Sequence, residues 1–357
     1  MPLMKTFQKL LNDMDLILGK FTLICILMTK HIGRYADTEK EGNFMAENFV
    51  FGVDIGGTTC KAGLFTDEGN LLDKWEFKTD TSNQGADILP HVAEQINRKI
   101  QQFQLNPSKV LGIGLGVPGP VSNEGIVHGC VNLGWKEKDV VQELMAMVHI
   151  PVRAGNDASL AALGELYAGS GIGKHSLLMV TLGTGVGGGL VYQDQIIHGA
   201  HGAAGEIGHL IVNPKEPERC NCGRRGCLEQ YVSATGICRM ATQMMSEYRD
   251  IHTSLDMEHL DTKKIFEAAQ NQDGIGVLVV EKFGHILGAA LANLAVVFDP
   301  EMIVLGGGVS NAGEFLLKLV TSNFKEKVFA PCSQVEIQIA KLGNDAGIYG
   351  CCAQFLM

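Results

Sequence analysis

Two distant stretches of this chain are built alike: FVFGVDIGGTTCKAGLF (Phe49 to Phe65) and SLLMVTLGTGVGGGLVY (Ser176 to Tyr192). Each is a β-branched or aromatic run, a glycine-rich turn and a second such run, which is the pattern of a β-hairpin. Their recurrence at low sequence similarity predicts two related α/β halves rather than one continuous sheet. At 357 residues the chain has material for two domains of ordinary size.

The intervening pattern fits such halves. A third strand is expected around Leu71 to Lys78, and apolar positions at Ile88, Val92, Ile96, Ile100 and Phe103 have helical spacing. Val110 to Val117 reads as a buried strand ended by Pro118-Gly119-Pro120. A helix near Asp139 to Val148 and a short strand at Val152 lead into Asn156-Asp157. An alanine- and leucine-rich helix follows, for which Asp157 is a suitable N-cap. After the second hairpin, helices occupy much of 235–298, Met302 to Ser310 is a strand entering a glycine turn, Glu336 to Ala340 a last strand, and a helix from Ala346 closes the chain. The domain boundaries expected are 45–155 with 345–357 for a small N-terminal α/β domain and 156–344 for a larger one.

The first 44 residues differ in character. They carry six Lys/Arg and five Asp/Glu, leaving −11 on the remainder of a chain whose formal charge is −10. Lys40-Glu41-Gly42 can be encoded by a purine-rich ribosome-binding sequence just ahead of Met45, so Met45 is expected as the start of translation, with an ordinary N-terminal extension as the alternative. An intact mass corresponding to translation from Met1 in native cells would exclude the Met45 start. No apolar run approaches bilayer-spanning length, the longest candidate being Phe21 to Met28. A protein that grips a phosphate backbone usually carries clustered positive charge, and an acidic chain argues against a nucleic-acid partner. The ten cysteines do not form a secreted disulfide framework, so a reducing cytoplasm is expected.

Three glycine-rich turns each follow an apolar strand: Asp54-Ile-Gly-Gly-Thr-Thr59, Gly183-Thr-Gly-Val-Gly-Gly-Gly189 and Gly306-Gly-Gly-Val-Ser310. Successive N–H groups in such turns can cradle an anion, with no Cβ in the way. Any one of them could be an ordinary tight turn. Three together, one carrying an aspartate and two carrying threonine hydroxyls, point to a nucleoside triphosphate. None has the spacing of the Walker phosphate loop or of the dinucleotide fingerprint.

The stretch GEIGHLIVNPKEPERCNCGRRGCLEQ holds His209, Cys220, Cys222 and Cys227, one imidazole and three thiols suited to a closed tetrahedral zinc site. The spacing is unlike that of DNA-reading fingers. A structural zinc is therefore expected, with a metal-free reduced cluster as the alternative. Glu206 and Glu229 flank this loop, so closing it on a metal would bring the two carboxylates together.

DIGGTTCKAGLF, TLGTGVGGG and GGGVS together resemble the superfamily of sugar kinases, actin and heat-shock ATPases. Adding VPGPV, NDA, GEIGH and CNCGRRGCLE, the chain is identified as a member of the ROK family (repressors, open reading frames, kinases) over residues 49–357, and GCVNLGWK and VTLGTGVGGG are most like its bacterial glucokinases. The resemblance implies two RNase H-like (actin-like ATPase) α/β domains with an interdomain cleft, and ATP-dependent phosphorylation of glucose at the 6-hydroxyl. ATP would be held by Asp54, Gly56, Gly57, Thr58, Lys61, Thr184, Gly185, Gly306, Gly307 and Gly308, with Mg2+ on its phosphates. Asp157 would be the catalytic base. Asn156, Glu206, His209 and Glu229, with Gly119 and Asn132, would contact the sugar. Closure of the cleft over the sugar is expected, since an open site lets water compete for the γ-phosphate.

The resemblance also implies a homo-oligomer, dimer or tetramer, with small-molecule partners only. Ser159 stands where the family often has Asn, which touches the fine positioning of Asp157. The rival readings are a ROK kinase for another sugar (N-acetylmannosamine, N-acetylglucosamine, fructose or allose), a different phosphoryl donor such as polyphosphate, and a sugar-sensing repressor. The last needs a helix-turn-helix domain, which residues 1–44 are too short and poorly patterned to supply.

Overall fold

The computed structural model describes residues 48–357; the expectations for 1–44 and for the Met45 start lie outside the described residues. The first hairpin pairs β1 (Phe49–Ile55) with β2 (Thr59–Thr66), in register from Phe49↔Thr66 to Ile55↔Cys60. β3 (Leu71–Lys78) extends it antiparallel, and β4 (Val110–Val117) lies parallel to β1 on the other side. Helix α1 (Ile88–Gln102) crosses between β3 and β4. A small pair, β5 (Ile126–Val127) with β6 (Lys138–Asp139), precedes α2 (Val140–Val148), and β7 (Val152–Asn156) completes the order β3-β2-β1-β4-β7.

Helix α3 (Asp157–Ala168) leads to the second sheet. Here β8 (Ser176–Leu182) and β9 (Val186–Tyr192) pair from Ser176↔Tyr192 to Leu182↔Val186, with β10 (Gln195–Ile196) at the edge. Four helices follow: α4 (Glu229–Val232), α5 (Ala234–Glu247), α6 (Thr262–Gln270) and α7 (Gly274–Phe298). Then come β11 (Met302–Gly306), α8 (Gly313–Lys327), β12 (Glu336–Ile339) and α9 (Ala346–Leu356). The order β10-β9-β8-β11-β12 repeats the plan of the first sheet, an antiparallel hairpin continued by parallel strands.

Each sheet has its own core. Val53, Leu64, Ile96 and Leu115 are among the buried residues of the first, and Leu182, Ile237, Phe283 and Leu305 among those of the second. β1 and β8 are buried along almost their whole length, as strands covered on both faces require. A third cluster contains Leu160, Leu163, Met179, Val304 and Cys351, so α3 and α9 lie between the two sheets. These helices cross backbone to backbone. A Cβ on Gly350 would stand 1.7 Å from the carbonyl oxygen of Leu160, and one on Gly164 would stand 2.1 Å from that of Ala346. Only glycine fits either position.

Helix α7 corrects the reading that no apolar run reaches spanning length. It is 25 residues long and apolar enough to cross a bilayer by length and composition, but 61% of its most apolar window is buried inside the protein. Phe283, Leu287 and Leu291 explain its composition, because they fill the core of the second sheet. Met240 and Met244 are buried there too, and the vicinal Cys351 and Cys352 are fully buried free thiols.

Candidate active site

The junction of β7 and α3 positions the central carboxyl. Strand pairing runs through Val117↔Asn156, and the helix starts at the next residue. The cap is therefore Asn156, whose Oδ1 accepts from the Ser159 N–H at 3.0 Å. This corrects the expectation that Asp157 is the N-cap: Asp157 is the first helical residue, and its Oδ1 accepts from the Ala158 N–H at 2.8 Å. Asn156 also donates through Nδ2 to the carbonyl of Gly119 at 3.1 Å, fixing the turn after β4 against the head of α3. Ser159 is buried beneath the cap.

Asp157 does not stand alone. Burial pushes its pKa up, and the neighbouring carboxylate of Glu206 adds to the rise. Asp54, on β1, is pushed up to about 6, first by burial and then by the charge of Asp157, against an opposing effect of Lys61. Three acidic groups from separate elements thus converge, and a bound cation or an incoming proton would relieve their repulsion. Lys61 faces Asp54 across the β1–β2 ladder and donates from Nζ to the Asn344 carbonyl at 3.2 Å.

The first of the glycine turns follows directly on Asp54 at the end of β1. In the first, Gly56 N–H donates to the Thr59 carbonyl at 3.1 Å, while Gly57 and Thr58 are exposed. Asn132 lies beside it, its Cβ 3.6 Å from where a Cβ on Gly57 would be. In the second turn Thr184 is exposed. In the third, Gly307 has φ of 83° and packs so closely that a Cβ would come 2.5 Å from the Leu182 carbonyl oxygen. The second and third turns are therefore neighbours, and Gly307 and Gly308 remain exposed.

Ligand atoms of His209, Cys220, Cys222 and Cys227 all lie within 4.8 Å of one another. Cys222 Sγ is 3.6 Å from Cys227 Sγ, and Cys220 Sγ is 3.9 Å from His209 Nδ1. A tetrahedron with zinc–sulfur bonds of about 2.3 Å has edges of about 3.8 Å, so the donor set fits zinc in chemistry and in spacing. Burial pushes Cys227 up to about 12, whereas the backbone N–H of Arg224 helps to pull exposed Cys222 down to about 6. With Nδ1 toward the thiols, His209 has its Nε2 left for another partner. Glu216 supports the loop from behind. It accepts from Arg239 Nη1 at 2.9 Å and from the Tyr231 hydroxyl, and it is pushed down to about 2, chiefly by Arg239.

Glu206 sits at the head of the 3-10 turn Ile207–His209, and Glu229 opens α4. Glu229 Oε2 accepts from the Val186 N–H at 3.1 Å, and its Oε1 is 3.8 Å from Cys220 Sγ.

Sequence reasoning passed over several residues. Buried Thr79 donates through Oγ1 to the Gly56 carbonyl at 2.7 Å and through its N–H to Thr58, bracing the first turn. A pocket of about 410 Å3 opens beside the third turn, lined by Gly308, Val309 and Asn311 on one side and by Thr262, Lys263, Phe266, Glu267 and Gln270 of α6 on the other. Nothing in the spacing of α6 marks that wall, because its partner turn lies some 40 residues further along the chain.

Two sheets of repeated plan, with glycine turns and converging carboxylates between them, define the actin-like ATPase fold of sugar kinases. Residues 50–356 match the ROK family, and the chain belongs to it. It is 42% identical over 311 residues to the glucokinase of Halalkalibacterium halodurans, covering 86% of this chain and 94% of that protein. Among solved structures it is similar to a ROK family glucokinase from Streptomyces griseus in complex with glucose and AMPPNP (TM-score 0.68, 30% identity, 86% of this chain and 99% of that one). It is also similar to the ROK hexokinase of Thermus thermophilus, with a TM-score of 0.70 at 30% identity over 85% of this chain and 97% of that one.

Proposed function

We propose that the chain is a glucokinase, transferring the γ-phosphoryl group of ATP to the 6-hydroxyl of glucose to give glucose 6-phosphate and ADP. The observation that carries this is the placement of Asp157, held at the head of α3 by the Asn156 cap, where its charge raises Asp54 and the charge of Glu206 raises it in turn. The 42% identity to a named glucokinase supports glucose as the acceptor.

In the cleft, the glycine-turn N–H groups hold the phosphates, and Asp54 would hold Mg2+, leaving the Asp157 carboxylate free for a proton. Magnesium, when bound, offsets charge on the transferring phosphoryl oxygens. Asp157 accepts the proton of the 6-hydroxyl as that oxygen bonds to the γ-phosphorus, and the bond to the β-phosphate oxygen breaks with its electron pair leaving on ADP. A general base contributes roughly 10²- to 10⁴-fold. Asn156, Glu206, His209 and Glu229, with Gly119 and Asn132, present donors and acceptors to the remaining hydroxyls, and a site built this way rejects sugars that leave them unpaired. The pocket beside Gly308 has the walls to take the nucleoside.

We assign the small domain to 45–155 with 345–357 and the large one to 156–344. The packing of α9 against β1 and β4 supports joining the C-terminal helix to the first sheet. His209, Cys220, Cys222 and Cys227 would hold a structural zinc, which would fix the loop that lies between Glu206 and Glu229. A cytoplasmic homo-oligomer acting on small molecules at the entry to glycolysis fits these roles, and the formal charge of −10 weighs against a nucleic-acid partner.

The test is ATP-dependent ADP release, with magnesium and zinc-replete protein, across glucose, fructose, N-acetylglucosamine and N-acetylmannosamine. Preference for glucose is expected. Preference for another sugar would change the acceptor alone, and no turnover with any of them would overturn the ATP-dependent reading in favour of a sugar sensor or another phosphoryl donor.

A further inference from the structure

The second glycine turn is held from one side only among the bonds described at it, and that side is the segment directly after the thiol loop. Three hydrogen bonds make the connection. Val186 N–H donates to Glu229 Oε2 at 3.1 Å, Ala234 N–H donates to the Gly183 carbonyl at 2.7 Å, and Thr235 Oγ1 donates to the Thr184 carbonyl at 3.1 Å. Space is equally tight: a Cβ on Gly185 would stand 2.4 Å from Glu229 Oε2. The other oxygen of the same carboxylate lies 3.8 Å from Cys220 Sγ. The chain is continuous from Cys227 through Glu229 to Ser233, whose hydroxyl caps α5 by accepting from Gly236 N–H at 3.0 Å.

We propose that Glu229 and Thr235 are positioning residues for the nucleotide-binding turn Gly183–Val186, so that the thiol loop sets nucleotide affinity as well as sugar affinity. This rests on the kinase assignment above. A flexible turn would lose conformational entropy each time its N–H groups closed on a phosphate; one already tied by its carbonyls to 229–235 has lost it beforehand. Thr235 reaches only the turn, whereas Glu229 stands between the turn and the sugar contacts. The two residues therefore separate in their effects.

The test is calorimetric binding of a non-hydrolysable ATP analogue with magnesium, and separately of glucose, to zinc-replete chains. Thr235→Val removes one exposed hydroxyl and is expected to weaken the analogue about three- to tenfold, the size of one neutral hydrogen bond, with glucose affinity and melting temperature unchanged. Thr235→Ser restores the analogue. Gly185→Ala, which forces the turn and the Glu229 carboxylate apart, is expected to weaken both ligands. Unchanged analogue affinity in Thr235→Val, or equal weakening of analogue and glucose in it, overturns the proposal. Failure of the unaltered chain to bind the analogue overturns the nucleotide reading itself, and the proposal with it.

Discussion

Asn156 joins Gly119 to the head of α3: its amide donates 3.1 Å to the Gly119 carbonyl while its oxygen caps the helix at the Ser159 N–H. One side chain thus fixes both the turn after β4 and the residue that follows it, Asp157. Asn156→Ala removes both bonds, and losing a cap of this kind costs about 0.5–2 kcal/mol. The melting temperature is expected to fall modestly and kcat at least tenfold, because Asp157 is no longer aimed. Asn156→Asp keeps an acceptor for the cap, so it should recover the melting temperature but not kcat. Equal recovery of both would show that the Gly119 bond has no part in aiming the base.

The hairpins and parallel strands were legible because each is a local pattern: Leu71–Lys78 and Val110–Val117 read directly from alternation and apolar runs ended by turn residues. The cap was not. Asn and Asp are equally good caps, and the choice between adjacent residues was made by the ladder, which pairs Asn156 with Val117 and so starts the helix one residue later. The thiol cluster was legible from ligand spacing, since His209 and the three cysteines lie within one short loop. The bond from Glu229 to Val186 was not, because it joins residues 43 apart.

Asp157→Asn keeps the shape and the Ala158 contact but cannot take a proton. Turnover is expected to fall by 10² to 10⁴, with glucose affinity and melting temperature close to those of the unaltered chain. Calorimetry on the variant separates the outcomes: lost glucose binding would make Asp157 a sugar ligand, and near-normal turnover would remove it from the base role.

Asp54 gives a pH prediction with a defined sign. Its carboxyl is raised from 3.8 to about 6 in the folded chain by burial and by Asp157, so between those pH values the folded state holds a proton that the unfolded state has released. Its contribution to stability therefore falls as pH rises from about 4 to 6. Asp54→Asn stays neutral throughout and should melt higher than the unaltered metal-free chain above pH 6, by roughly 1–3 kcal/mol, with the difference vanishing toward pH 4. The same variant should lose magnesium-dependent turnover, because the metal needs the ionised form. A constant stability difference across this range would show that Asp54 is not raised.

The thiol loop predicts about one zinc per chain, measured by elemental analysis, from a closed four-ligand site. Cys222 is the exposed member, so Cys222→Ser removes a ligand with little loss of packing. Metal content should drop, the melting temperature should fall and KM for glucose should rise. A chain that keeps full stability and glucose affinity without zinc would make the cluster a reduced thiol group with no metal role.

The crossing of α3 and α9 sets a last test. Asp157 opens α3, and a Cβ on Gly347 of α9 would lie 2.6 Å from Asp54 Oδ2, so the two helices carry or border two of the three acidic groups of the site. At Gly350 the added methyl would stand 1.7 Å from the Leu160 carbonyl oxygen, a backbone atom that cannot swing aside. Gly350→Ala must therefore push the helices apart, and overpacking of this kind costs about 1–3 kcal/mol or more. The variant is expected to melt lower and, where still folded, to lose kcat by more than tenfold, since separation of the helices shifts Asp157 relative to Asp54. Gly313, which has nothing within 4 Å of its Cβ position but a φ of 60°, supplies the contrast: Gly313→Ala strains only its own backbone, by about 1–3 kcal/mol, and leaves the crossing of α3 and α9 alone, so the melting temperature falls while kcat holds. A normal kcat in Gly350→Ala would show that the spacing of the two helices does not set the geometry of the carboxylates.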